Sequence, residues 1–79
     1  MRVYIVCNLH EDTGFITGVE PYITLETAIH RAVVILKEDT VNDTNYISNF
    51  IDSSKKYLKD GLTFEDECGL VRIIVKDAI

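Results

Sequence analysis

The residues of this sequence that could carry chemistry are two cysteines, Cys7 and Cys68, and two histidines, His10 and His30. Cys7 and His10 are three positions apart, a spacing at which a thiolate and an imidazole can bind one metal ion. A single pair does not make a structural zinc site, and no Cys-x-x-Cys pair accompanies it. A metal-binding or thiol-dependent protein centred on Cys7 and His10 is therefore the third of three hypotheses.

Nucleophilic catalysis needs a thiol or hydroxyl beside a base, with a further group that orients the base. Cys7 lies in a segment that alternates like a strand, which is typical of a small core residue. His30 lies near the edge of an amphipathic helix, and Cys68 follows two carboxylates that disfavour a thiolate. No Walker A loop, nucleophile elbow or Gly-x-Gly-x-x-Gly motif is present. We predict a protein that is not an enzyme and holds neither metal nor cofactor.

The 79 residues are enough for one domain, which we expect to span 1–79. A content of 47% hydrophobic and 27% charged residues indicates a globular chain. The net charge of -5 argues against direct binding to nucleic acid or to an anionic membrane. The first seven residues are too short and too β-like for a signal peptide. We therefore expect a cytoplasmic protein with reduced cysteines.

The periodicity predicts five elements in the order β-β-α-α-β. Alternating residues predict strands over 2–8 and 15–20, with Pro21 ending the second. A stripe of apolar residues predicts a helix over 25–38, capped by Thr24, and another stripe predicts a helix over 45–59. Asp60 and Gly61 form a standard helix stop. The β-branched segment 70–76 predicts the last strand.

These elements predict an α+β fold, with two helices packed on one face of a three-stranded sheet. We expect the order second-first-third, which places the most β-branched strands together. Passage of the chain through two antiparallel helices would make the first and third strands parallel. Gly18, inside the second strand, indicates a bulge or the close approach of another backbone.

The strands carry more apolar residues than one buried face requires. The face turned to the helices is expected to carry Val3, Ile5, Cys7, Phe15, Val19, Val71, Ile73 and Val75. The opposite face would then carry Tyr4, Val6, Ile16, Leu70 and Ile74, with Arg2, Arg72 and Lys76 around them. An apolar patch on a small domain is typical of an interaction site, and one self-complementary patch suffices for a C2 dimer. We therefore predict a homodimer that associates through this second face.

Acidic residues concentrate in three connections between the predicted elements. These residues are Glu11 and Asp12; Glu38, Asp39 and Asp43; and Glu65, Asp66 and Glu67. If the connections meet at one end of the domain, they would form a negative surface that attracts a basic protein partner. Proteins that handle nucleic acids carry basic grooves, so such a protein is a candidate partner.

In size, acidity and lack of catalytic motifs the chain is similar to many small phage-encoded accessory proteins, including inhibitors of host defence or transcription. This similarity is one of type and rests on no residue pattern. The leading hypothesis is a small acidic protein-binding module that acts as a stoichiometric inhibitor or regulator of a host protein. The alternative is a structural or assembly subunit that docks through its sheet face.

Overall fold

The computed structural model describes residues 1–38 and 43–77. Its elements are β1 (Arg2–Leu9), β2 (Ile16–Tyr22), α1 (Leu25–Glu38), α2 (Thr44–Lys59), β3 (Phe64–Glu65) and β4 (Val71–Asp77). The strands form one sheet in the order β2-β1-β4-β3, and all neighbours are antiparallel. The predicted α+β fold with two helices is confirmed, whereas the sheet has four strands rather than three.

Both helices begin at the caps that their sequences provide. The backbone N–H of Thr27 donates to the hydroxyl of Thr24 at 3.2 Å, ahead of α1. At the start of α2, the carboxylate of Asp43 accepts from the backbone N–H groups of Asn45 and Tyr46. Gly61 ends α2 with a φ of 76°, the left-handed conformation expected there. Neither helix, at 14 and 16 residues, is long and apolar enough to cross a membrane.

The predicted parallel pairing of the first and last strands was wrong. The short strand β3 precedes β4 and is paired with it, Phe64 opposite Ile73. A turn between these strands reverses the chain once more, so β4 runs antiparallel to β1. Two aromatic residues of α2 pack against β3. The centroid of the Phe64 ring lies 5.7 Å from that of Phe50 and 5.1 Å from that of Tyr57.

The second strand continues past Pro21 to Tyr22, although Pro21 was expected to stop it. β2 is an edge strand, where a residue without an N–H need not interrupt a ladder of hydrogen bonds. Gly18 marks an irregularity, as predicted, because the register with β1 shifts between Asn8 and Leu9. A Cβ at Gly18 would lie 3.2 Å from the side-chain nitrogen of Asn8, so the strand also passes close to that side chain.

The predicted faces of β1 were reversed, whereas on β2 Ile16 was placed correctly and Val19 was not. Tyr4 and Val6 are buried against the helices, opposite Val75 and Ile73 of β4, which were correctly expected on that side. Leu70, expected on the opposite face, is likewise buried in this core. The residues wrongly expected against the helices are Val3, Ile5, Cys7, Phe15 and Val19. β1 is apolar on both sides, so its own alternation could not select the buried one.

Candidate functional site

The face of the sheet that carries no helix is the most extensive functional candidate in this fold. Both helices pack on the side that carries Tyr4 and Val6. Strand alternation and the observed register place every second residue on the other side. We call this other side the open face, and it comprises Val3, Ile5, Cys7, Leu9, Ile16, Val19, Pro21, Glu65, Arg72, Ile74 and Lys76.

The centre of the open face is apolar along the whole of β1. Cys7 is flanked by Val19 on β2 and by Arg72 on β4, and its own side chain is buried by these neighbours. Ile5 and Ile74 are paired and only partly buried. An antiparallel sheet with one solvated face normally carries polar residues there. The open face departs from this pattern in a way that is typical of a contact surface.

The border of the open face along β2 is its most exposed apolar part. Val19 exposes 57% of its surface and Ile16 exposes 48%. Phe15, just before β2, is 73% exposed. The opposite border is polar, since Glu65 binds Arg72 through a contact of 2.7 Å. The surface therefore has an apolar centre and one charged border, as protein contact surfaces commonly do.

The acidic connections lie at one end of the molecule. Leu9 donates its backbone N–H to the carbonyl of Leu70, which places the β1–β2 turn beside the β3–β4 turn. The hydroxyl of Tyr46 reaches Asp66, so the start of α2 lies at this end as well. β2 ends at the opposite end of the sheet, where α1 begins, so the last residue of α1, Glu38, lies at the same end as these turns. We call this region the acidic end, defined by the exposed residues Glu11, Asp12, Glu38, Asp43 and Glu67.

Three of the eight acidic residues singled out in the sequence do not belong to this exposed set. Glu65 is on the open face and is paired with Arg72. Asp66 is only 4% exposed and has a structural role. Asp39 lies outside the described residues. Asp43 belongs to the set but also caps α2, so part of its charge is directed to backbone N–H groups.

Asp66 organises the turn between β3 and β4. Its Oδ1 accepts from the backbone N–H groups of Leu70 and Val71, both at 2.7 Å. Its Oδ2 accepts from the backbone N–H of Cys68 at 3.1 Å and from the hydroxyl of Tyr46 at 2.7 Å. Burial raises the pKa of the Tyr46 phenol, and its side-chain contacts with Cys68 and Asp66 act in the same direction. The neutral phenol is therefore the form that this site holds.

The sequence interpretation placed Asp66 in a solvated acidic run and missed this role. The signal that could have revealed it is the stretch Asp66-x-x-Gly69, since aspartate at the first position of a turn binds backbone N–H groups beyond it. Gly69 has a φ of 71°, which this turn requires. A cavity beside the turn, of about 80 Å³, is lined by Tyr46, Ser53, Phe64 and Asp66 among others. It is well below the volume of a typical small-molecule site.

The structure does not assemble the candidates for metal binding or nucleophilic catalysis. Cys7 is buried in the open face, and burial raises the pKa of its thiol, while the charge of Arg72 acts in the opposite direction. His10 is exposed in the β1–β2 turn, where its Nδ1 accepts from the backbone N–H of Asp12. His30 is exposed on α1. Within residues 1–38 and 43–77, no three His, Cys, Asp or Glu side chains are grouped to hold a metal ion.

The predicted self-association residues are divided between two environments. Ile16 and Ile74 lie on the open face, as expected. Tyr4, Val6 and Leu70 are buried in the core and cannot contact a second molecule without unfolding. Their places are taken by Val3, Ile5 and Val19, which sequence reasoning assigned to the core.

Comparison with protein-family models, curated proteins and solved structures found no match to this chain.

Proposed function

We propose that this protein acts by binding another protein through the open face of its sheet, without catalysing a reaction. The observation that carries the proposal is the apolar column Val3, Ile5 and Cys7, continued by Val19 and Ile74 on the neighbouring strands. Exposed apolar patches on small domains are commonly contact surfaces.

The acidic end supplies a second contact in this proposal. Its carboxylates would attract a basic partner, such as a protein that handles nucleic acids, and the protein would inhibit or regulate that partner stoichiometrically. The observation in favour is that three separate acidic segments lie at one end of the molecule. Charge of one sign accelerates encounter with a partner of opposite charge and makes binding salt-dependent. The unpaired Cys7 and Cys68 support a cytoplasmic site of action.

Photo-crosslinking in cells tests the open face as the binding surface. A photoreactive amino acid at Val19 lies on the open face, and the same group at Lys55 lies on the exposed side of α2. We expect covalent adducts, identified by mass spectrometry, from position 19 and few from position 55. Equal yields from both positions, or none from position 19, would contradict the proposal.

Salt and charge reversal test the acidic end. With a partner identified by crosslinking and then purified, affinity should fall as ionic strength rises. Asp12→Lys should weaken binding by at least fivefold, whereas Glu26→Lys makes the same charge change in the first turn of α1, at the far end, and should have little effect. An affinity that does not change with salt would refute the acidic end as a contact with the partner. It would not contradict binding through the open face.

Docking into a larger assembly is the second candidate, and the same apolar surface favours it. The two roles differ in stoichiometry and lifetime. An assembly subunit would co-purify with several proteins in a fixed ratio through gel filtration. A regulator would bind one partner reversibly, and calorimetry would give a ratio near one.

A further inference from the structure

The distribution of charge limits what can cover the open face. The chain has 13 acidic residues and a net charge of -5. Among the described residues of the four strands, the open face carries one carboxylate, that of Glu65, and Arg72 neutralises it. The remaining charge on this face is that of Lys76. Two copies of an acidic protein can therefore meet through this face without bringing negative charges together at its centre.

The edges of the sheet favour contact through the face rather than through the strand edges. β2 contains Pro21, which cannot donate a hydrogen bond to an added strand. At the other edge, β3 has only two residues, and short edge strands discourage pairing with a further chain. An added strand would find little continuous backbone to bind, so the side-chain surface is left as the means of association.

The size of the open face sets the strength of a contact between two copies. Three strands of seven or eight residues and the two-residue β3, about 4.8 Å apart, present roughly 380 Å² in projection. Two such faces together provide about 760 Å², which is below the roughly 1,000 Å² of a stable specific interface and is the size of a weak, reversible contact. A two-fold axis requires only one self-complementary surface, and small domains commonly gain stability by associating.

We infer that a second copy of this chain covers the open face, forming a face-to-face C2 dimer with a dissociation constant in the micromolar range. The inference rests on the proposed function, since it names the protein that the open face binds. The acidic ends lie at the strand ends, outside this contact. One dimer would therefore present two of them to a target.

Analytical ultracentrifugation of the purified full chain tests the dimer. From about 1 µM to 500 µM, the mass should rise from 9.0 kDa towards twice that value. Val19→Lys should weaken dimerisation at least tenfold, because it buries two lysines in the contact. Leu62→Lys is the matched control, since Leu62 is 53% exposed against 57% for Val19 but follows α2. All samples contain reductant, because Cys68 is exposed and could form an unrelated disulfide dimer.

NMR dilution of the wild type provides a second measurement that needs no variant. Amide shifts of Val3, Ile5, Val19 and Ile74 should change with concentration, while those on the outer side of α2 should not. A 9.0 kDa mass at all concentrations would overturn the dimer. A dimer that Val19→Lys leaves intact, with folding verified by the amide spectrum, would overturn it too. A monomer whose position 19 crosslinks to a different protein would refute the second copy and leave the proposed function standing.

Discussion

The hydroxyl of Tyr46 donates a hydrogen bond of 2.7 Å to Oδ2 of Asp66 and thereby ties the start of α2 to the turn between β3 and β4. The same carboxylate binds the backbone N–H groups of Leu70 and Val71. These contacts hold the turn that reverses the chain into β4. The pair therefore stabilises the arrangement in which β4 and β1 lie antiparallel beneath the helices.

Asp66→Ala should reduce the free energy of unfolding by about 3 kcal/mol. The substitution leaves the buried N–H groups of Leu70 and Val71 without an acceptor, and each such group costs roughly 1–3 kcal/mol. Denaturant unfolding followed by circular dichroism measures the change. Glu67→Ala is the control, because this exposed neighbour should change stability by less than about 0.5 kcal/mol. Equal effects from the two substitutions would refute the role given to Asp66, and Asp66→Asn serves if the alanine variant does not fold.

Stability should decline at alkaline pH because of Tyr46. Its pKa is raised in the folded protein, so its contribution is complete below the unfolded pKa of about 10 and is lost as pH rises from there towards the folded pKa. The slope contributed by this one group is at most about 1.4 kcal/mol per pH unit.

Tyr46→Phe should remove that slope and cost about 1 kcal/mol at neutral pH, since the hydrogen bond to Asp66 is lost. The hydroxyl also accepts from the backbone N–H of Cys68 at 3.3 Å, but that N–H still has Asp66 as an acceptor. Denaturant unfolding at pH 8 to 11, together with absorbance titration of tyrosinate, measures both quantities. An unchanged pH slope in the phenylalanine variant would contradict the assignment to Tyr46.

Gly69→Ala should destabilise the protein by about 1 kcal/mol. The cost comes from backbone conformation, because Gly69 has a φ of 71° and no heavy atom would contact an added Cβ within 4 Å. Gly69→Asn should cost less, since asparagine tolerates the left-handed region. Thermal unfolding of the two variants measures the difference, and a stable alanine variant would argue against the turn geometry.

The two thiols should differ strongly in reactivity. Cys68 is exposed, whereas Cys7 is buried and its pKa is raised by that burial. A disulfide reagent should modify one thiol per chain quickly under native conditions and the second only after unfolding. Cys68→Ser should abolish the fast reaction. Rapid modification of Cys7 in that variant would revive the hypothesis of a thiol-dependent protein.

The helices were predictable because each has one clear apolar stripe and recognisable ends. The predicted helix over 25–38 coincides with α1, and the one over 45–59 differs from α2 by one residue at its start. Thr24 marks the start of α1 through a local hydrogen bond, and Gly61 marks the end of α2 through its left-handed backbone conformation. Such signals lie within a few residues of each other, so no distant contact is needed to interpret them.

The sequence predicted that the candidate site is an apolar sheet face, but it did not predict all of the residues on that face. An apolar sheet face without a helix follows from the excess of apolar residues in the strands, and Ile16 and Ile74 were placed there correctly. Tyr4 and Val6 were not, since alternation identifies two faces of a strand without saying which one is buried. The role of Asp66 in the turn was missed because three consecutive carboxylates were interpreted as a solvated segment, although its bonds to Leu70 and Val71 are local. Only its contact with Tyr46, twenty residues away, had no local signal.

The amino-acid order alone therefore specifies the class of fold, both helices, three of the four strands and the concentration of acidic residues between them, because these depend on local periodicity and capping. The burial of one face of β1 and the antiparallel direction of β4 depend on contacts between residues far apart in the chain. The turn at Asp66 reverses the last strand, and pairing of Val6 with Ile73 then turns Val6 towards the helices. Long-range packing thus decides which apolar residues remain on the open face.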